Sequence, residues 1–144
     1  MTKGDRQKVL EMFGGKCAYC GCVLGKHWHV DHLKPLNRDS VYDKDKRKFV
    51  QTGTCQNPEN DCIENCMPSC ASCNITKSTL TLEMFRAYIQ QTVESLNSNH
   101  YAAYKFAKRF GLIQETPKEV NIYFEIHTHD IHSRIYKSKE LAGK

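Results

Sequence analysis

The sequence has no apolar stretch long enough to cross a membrane. Its first residues, Met-Thr-Lys-Gly-Asp-Arg-Gln-Lys, contain no hydrophobic segment of the kind a secretory signal needs. These absences argue against a membrane span and against export, and make the cytosol the expected compartment. There is no internal repeat, which argues against a stacked-repeat array, and no low-complexity tract, which argues against a long disordered segment. What the chain has instead is cysteine, eight in 144 residues. In a reducing compartment paired cysteines read as metal ligands rather than as a disulfide framework.

The length suits one domain with a modest core, and small domains often need a staple such as zinc. The net charge of +5 and pI near 8.7 suit a protein that meets phosphates, although many proteins that bind no nucleic acid share them.

The cysteines are ordered. Cys17-Ala-Tyr-Cys20 forms one Cys-x2-Cys knuckle, and Cys70-Ala-Ser-Cys73 forms the second. Each places two thiolates on a tight turn, and two turns complete a tetrahedral zinc site. Between them lie His29-Val-Asp31-His32 and Asn65, and Asn74 follows the second knuckle directly. A carboxylate, an imidazole and an amide beside a zinc staple supply oxygen donors for a hard metal and a general base. That combination points to a nuclease.

The spacing predicts a helix over Asp5–Phe13, with Asp5 as N-cap and Gly14-Gly15 as its stop. Short strands are expected at Val23–Leu24 and Trp28–Leu33, the latter ended by Pro35. Asn37–Asp61 reads as a long polar loop with at most a short strand at Lys48–Gln51. A strand is expected over Ile63–Met67, and then a short helix over Ala71–Lys77. Thr81 caps a longer helix running to about Leu96, with Phe85, Ile89, Val93 and Leu96 on one face. A further helix covers Tyr101–Phe110 and stops at Gly111. Alternation over Val120–Ile126 suits a strand, and the tail after His127 is polar and basic.

The ordered set of Cys-x2-Cys, Asp-His, Asn and Cys-x2-Cys-Asn-x2-Lys resembles the HNH endonuclease family over Lys16 to about Phe85. More weakly, Thr79–Arg86, Phe110-Gly-Leu-Ile and Tyr123-Phe-Glu125 resemble extensions seen in phage and prophage members. The resemblance implies a small, zinc-stapled α+β protein built on the ββα-metal fold, with an N-terminal helix and C-terminal helices plus a strand. Residues 1–98 would form the nuclease domain, with its core at 16–86, and 99–144 an extension of the same unit.

By the same resemblance His32 is the general base. Asp31 and Asn74 hold one catalytic Mg²⁺ or Mn²⁺, making this the HNN variant. Asn65 steadies the hairpin and the loop of the base without binding metal. Cys17, Cys20, Cys70 and Cys73 hold structural Zn²⁺. Lys77, about one turn past Asn74, meets a substrate phosphate. The implied activity is hydrolysis of DNA phosphodiesters, leaving a 5′ phosphate and a 3′ hydroxyl. A palindromic double-strand cutter would pair as a homodimer, since one such site cuts one strand.

Rival readings stand beside these. Asn74 would serve equally as a helix cap, Lys77 as a solvated lysine, and His29 as a structural or substrate-side group sharing strand parity with Asp31. Cys22 is close enough to replace Cys20. Cys55, Cys62 and Cys66 read as free thiols, with a second zinc site or a Cys55–Cys62 disulfide as alternatives. Lys44-Asp-Lys-Arg-Lys48 is either a solvated loop or a DNA-backbone contact. The aromatics at 101, 104, 106 and 110 suit core packing better than base stacking. At the level of function, the rivals are a catalytically silent, zinc-dependent DNA-binding module and a disulfide-stapled secreted domain.

Overall fold

The computed structural model describes residues 1–127; the tail expected to be loosely held after His127 lies outside the described residues. Over that span the chain is a mixed α+β structure with two small antiparallel sheets and six α-helices. No helix among the described residues is long and apolar enough to cross a membrane.

Helix α1 covers Lys3–Glu11 and starts earlier than expected. Thr2, not Asp5, is the N-cap. Its hydroxyl accepts from the Asp5 amide at 3.1 Å, and the Asp5 carboxylate accepts from the Thr2 amide at 3.1 Å. This reciprocal pairing satisfies two amide donors that a helix start leaves open. The helix buries Val9 and delivers Phe13 to the core.

Strand β1 (His29–His32) pairs antiparallel with β4 (Cys66–Ser69), placing Asp31 opposite Met67 and His32 opposite Cys66. Ile63–Asn65, expected to begin this strand, forms instead a single 3-10 turn. Helix α2 (Ala71–Lys77) follows β4 directly and packs on β1. These three elements make a ββα unit.

The long loop expected between the two strands is a β-hairpin. Strand β2 (Arg38–Asp43) pairs with β3 (Lys48–Cys55), with Val41 opposite Val50 and Tyr42 opposite Phe49. The Asp43 carboxylate accepts the amides of Asp45 and Lys46, each at 3.0 Å, and closes the turn. The hairpin is hidden in the sequence because neither face is buried. Its alternation therefore carries no apolar-polar contrast.

Helices α3 (Leu82–Gln90) and α4 (Thr92–Asn99) replace the single expected helix. Thr81 caps α3, as its spacing predicts, by accepting from the Met84 amide at 3.2 Å. The expected common face divides at Gln91: Phe85 is 1% exposed, whereas Val93 is 43% exposed. Helix α5 (Tyr101–Arg109) ends before Gly111, whose φ of 68° is in the left-handed region that favours glycine.

Val120–Ile126 is not a strand. After an extended approach, α6 (Tyr123–Ile126) forms one helical turn. The Tyr123 and Phe124 amides bond the carbonyls of Tyr19 and Ala18, each at 2.9 Å, so they join no strand ladder. The alternation had a different cause. Ile122 and Phe124 are both inserted into the core with Phe13, Ala18, Tyr19, Leu33, Met67, Leu82 and Phe85. Arg86 ties α3 to this segment through an ion pair with Glu125.

Candidate functional site

The first knuckle is a tight turn in which the Gly21 amide donates to the Cys17 carbonyl at 2.9 Å. The second overlaps the start of α2, where the N-cap is Cys70 and its sulfur accepts from the Cys73 amide at 3.5 Å. The core brings the two together: the ligand sulfurs of Cys17, Cys20, Cys70 and Cys73 all lie within 4.8 Å of one another. Cys20 Sγ and Cys70 Sγ are 3.9 Å apart. A tetrahedron with Zn–S bonds of about 2.3 Å has edges of about 3.8 Å, so the four sulfurs fit a zinc ion.

A hydrogen bond from Cys73 and main-chain amides around the turn pull the Cys17 thiol down to about 4. Retaining the donated proton, together with burial, pushes Cys73 up. Cys22 lies beside Cys20 and Cys70, and desolvation and these neighbours push its thiol up to about 12. It is outside the four-sulfur set, so Cys20 takes the position for which both were candidates. None of the eight cysteines is in a disulfide, Cys55 and Cys62 included. The Cys66 thiol donates to the Cys62 carbonyl at 3.3 Å, and burial pushes it up to about 11.

Asp31 and His32 are successive residues on β1 and therefore point to opposite sides of it. Asp31 is buried. Its Oδ2 accepts from the Tyr19 hydroxyl and lies 3.0 Å from Lys77 Nζ. Burial and the adjacent Asp31 charge push the Tyr19 phenol well up, which keeps it a neutral donor. Lys77 is fully buried, and its ammonium also donates to the His32 carbonyl at 2.7 Å. This corrects both readings of Lys77: it is neither solvated nor able to meet a phosphate, because its charge is committed inside the protein.

His32 is half-buried, and its Nε2 lies 3.1 Å from Asp61 Oδ1. Asn65 holds this pair in place. Its amide accepts from the Lys34 amide at 2.9 Å and donates to the Lys34 and Asn60 carbonyls, each at 2.8 Å. It thus clamps the loop leaving His32 to the loop carrying Asp61. Asn74 lies on α2 one turn before Lys77. Its side chain makes no hydrogen bond among the described residues, so it caps nothing.

Two clefts meet at His32. One of about 640 Å³ is lined by Arg6, Lys26, His27, His29, Arg38 and His32, with Asp61 the acidic member. The other, about 280 Å³, is lined by Asp31, His32, Arg38, Gln51, Ser78 and Thr79. His29 belongs to the larger cleft and not to the one that Asp31 shares. Asn74 is in neither lining.

The sequence gives no warning of Tyr19, Arg38 or Asp61. Tyr19 is an ordinary spacer inside a knuckle. Arg38 opens the hairpin that reads as loop and Asp61 follows it, and only folding brings both to β1. Compared with family models, curated proteins and solved structures, the chain matches none.

Proposed function

We propose that the protein is a zinc-stapled endonuclease of the HNH type that hydrolyses DNA phosphodiesters. The observation that carries this reading is the ββα unit with Asp31 and His32 on its first strand, Asn74 on its helix, and a cysteine cluster fixing the helix to the knuckle. Asp31 Oδ1 and the Asn74 amide oxygen make no hydrogen bond or ion pair among the described residues. Both are hard donors, chemically suited to Mg²⁺ or Mn²⁺. When bound there, such an ion would supply Lewis-acid stabilisation of phosphate charge.

The chain's own groups do the rest. A neutral His32 with Nε2–H directed at Asp61 leaves Nδ1 free to take a proton from water. Asn65 keeps that imidazole and Asp61 in register. Arg6, Lys26 and Arg38 make the larger cleft attractive to a phosphate backbone.

A second reading, a catalytically silent zinc-dependent DNA-binding module, is favoured by one observation. Asp31 already has Lys77 and Tyr19 as partners, which lowers its appetite for a cation.

Incubation of the purified protein with supercoiled plasmid separates the two readings. The nuclease reading expects nicked or linear products with added magnesium or manganese, and none in a chelator too mild to remove zinc. Binding without cleavage under every divalent-ion condition would leave the silent module.

A further inference from the structure

We propose that the β2–β3 hairpin is a DNA-holding arm that grips duplex DNA alongside the cleft; this rests on the nuclease reading above. The hairpin is inserted between the two strands of the ββα unit, and its two feet are tied to each other. The Gln56 amide donates to the Asn37 carbonyl at 3.2 Å, and the Asn57 side chain donates to the Pro35 carbonyl at 3.3 Å. A six-residue strand extends roughly 20 Å. A two-stranded ribbon of this kind is narrow enough to enter the DNA major groove, about 12 Å wide.

One face of the hairpin is continuous with the site. Gln51 lines the cleft shared by Asp31 and His32. Phe49, two residues before Gln51 on β3, is on the same face, and Tyr42 is its cross-strand partner. The two rings meet edge to face with centroids 5.4 Å apart, yet Phe49 is 70% exposed and Tyr42 53% exposed. No core covers them. Beyond these rings the tip carries Lys44, Lys46, Arg47 and Lys48. Lys46 is paired with Asp43 at 3.0 Å, whereas Lys44, Arg47 and Lys48 have no ion-pair partner among the described residues. An uncovered aromatic pair and the cleft therefore follow one another along one face, and the basic tip lies just beyond the rings, with Lys48 on the side opposite Phe49. That sequence of surfaces fits a polyanion presenting apolar sugar and base edges between its phosphates.

The test measures binding apart from cleavage. The full-length protein, with calcium replacing magnesium, is titrated onto a fluorescent duplex of about 30 base pairs, a length chosen to span several phosphate contacts, over a range of salt concentrations. Lys44→Glu/Lys48→Glu is expected to weaken binding by about tenfold or more. It should also make the log affinity against log salt slope shallower by about 2, close to 0.9 for each phosphate no longer neutralised. Phe49→Ala is expected to weaken binding several-fold with the slope unchanged. Arg109→Glu/Lys118→Glu, a charge-matched control on exposed residues outside the hairpin and the clefts, should change affinity little.

Equal effects of the hairpin and control pairs would overturn the proposal. So would a dimer that dissociates on Phe49→Ala while DNA affinity stays the same, because the aromatic face would then serve self-association. Tighter hairpin-dependent binding to single-stranded RNA than to duplex DNA would overturn it as well. A parent protein that binds duplex through the hairpin yet never cleaves it under magnesium defeats the nuclease reading and supports this one.

Discussion

Lys77 Nζ lies 3.0 Å from Asp31 Oδ2, with the lysine fully buried and the aspartate nearly so. The pair links the last turn of α2 to the middle of β1, and the Tyr19 hydroxyl completes the carboxylate's protein contacts. The ββα unit is thus tied by an ion pair beside His32, and at the knuckles four sulfurs lie close enough to hold a metal ion.

Removing one partner of this pair should be costly. Lys77→Met is expected to destabilise the protein by about 3 kcal/mol, because it leaves an uncompensated buried carboxylate. Asp31→Asn in the same chain should restore part of that loss. Urea denaturation of the single and double variants measures both. Full stability of Lys77→Met alone would show that the pair contributes little to holding α2 on β1.

The cysteine cluster should make folding depend on zinc. The purified protein is expected to carry about one tightly held zinc per chain, the stoichiometry of a single four-thiolate site. Cys70→Ser should be largely insoluble or unfolded, since metal binding and folding are coupled in such domains. Cys22→Ser, just outside the four-sulfur set, should retain the zinc. Metal analysis with circular dichroism checks all three, and loss of zinc from Cys22→Ser would move the ligand set.

His32→Ala is expected to keep the fold and the zinc but to lose cleavage by about a hundredfold or more, the scale of losing a general base. Asp61→Asn should lower kcat without raising KM for plasmid, because Asp61 meets the imidazole and is the acidic member of an otherwise basic cleft. Nitrogen-15 NMR of the His32 ring should report the Nε2–H tautomer in the parent and a mixture in Asp61→Asn. An unchanged tautomer and kcat in that variant would remove Asp61 from the positioning of His32.

Gly21 has a φ of +74°, and a Cβ there would collide with the Tyr123 ring. Gly21→Ala should therefore both strain the first knuckle and lift the segment carrying Ile122 and Phe124 off the core. The expected outcome is a loss of about 2 kcal/mol or more, the scale of overpacking combined with a left-handed backbone. Thermal unfolding in excess zinc measures this. A wild-type melting temperature would mean that the segment over the knuckle shifts freely.

Local chemistry made several features legible from the residues alone. A Cys-x2-Cys turn is a short-range object, so the four clustered cysteines could be selected by spacing, and folding only had to bring the turns together. Thr81 and Gly111 act on adjacent backbone, and both mark helix ends as read. The neighbouring positions of Asp31 and His32 and the placement of Asn74 on α2 follow from order along the chain.

Tertiary structure decided what depends on burial and on distant partners. A lysine after a knuckle reads as solvent-facing, and only the packing of α2 on β1 turns Lys77 inward to neutralise Asp31. The hairpin at 38–55 was legible only at Lys48–Gln51, because both of its faces are exposed and mix polar with apolar residues, which leaves no periodic contrast to detect. Val120–Ile126 misled for the converse reason. Its apolar alternation came from Ile122 and Phe124 entering the core around a helical turn, with its main chain bonded to Tyr19 and Ala18 about a hundred residues earlier. Spacing along the chain determined which ligands and caps were available. The Asp61–His32 contact, the buried charge on Lys77 and the basic cleft depend on where the core carried groups far apart in sequence.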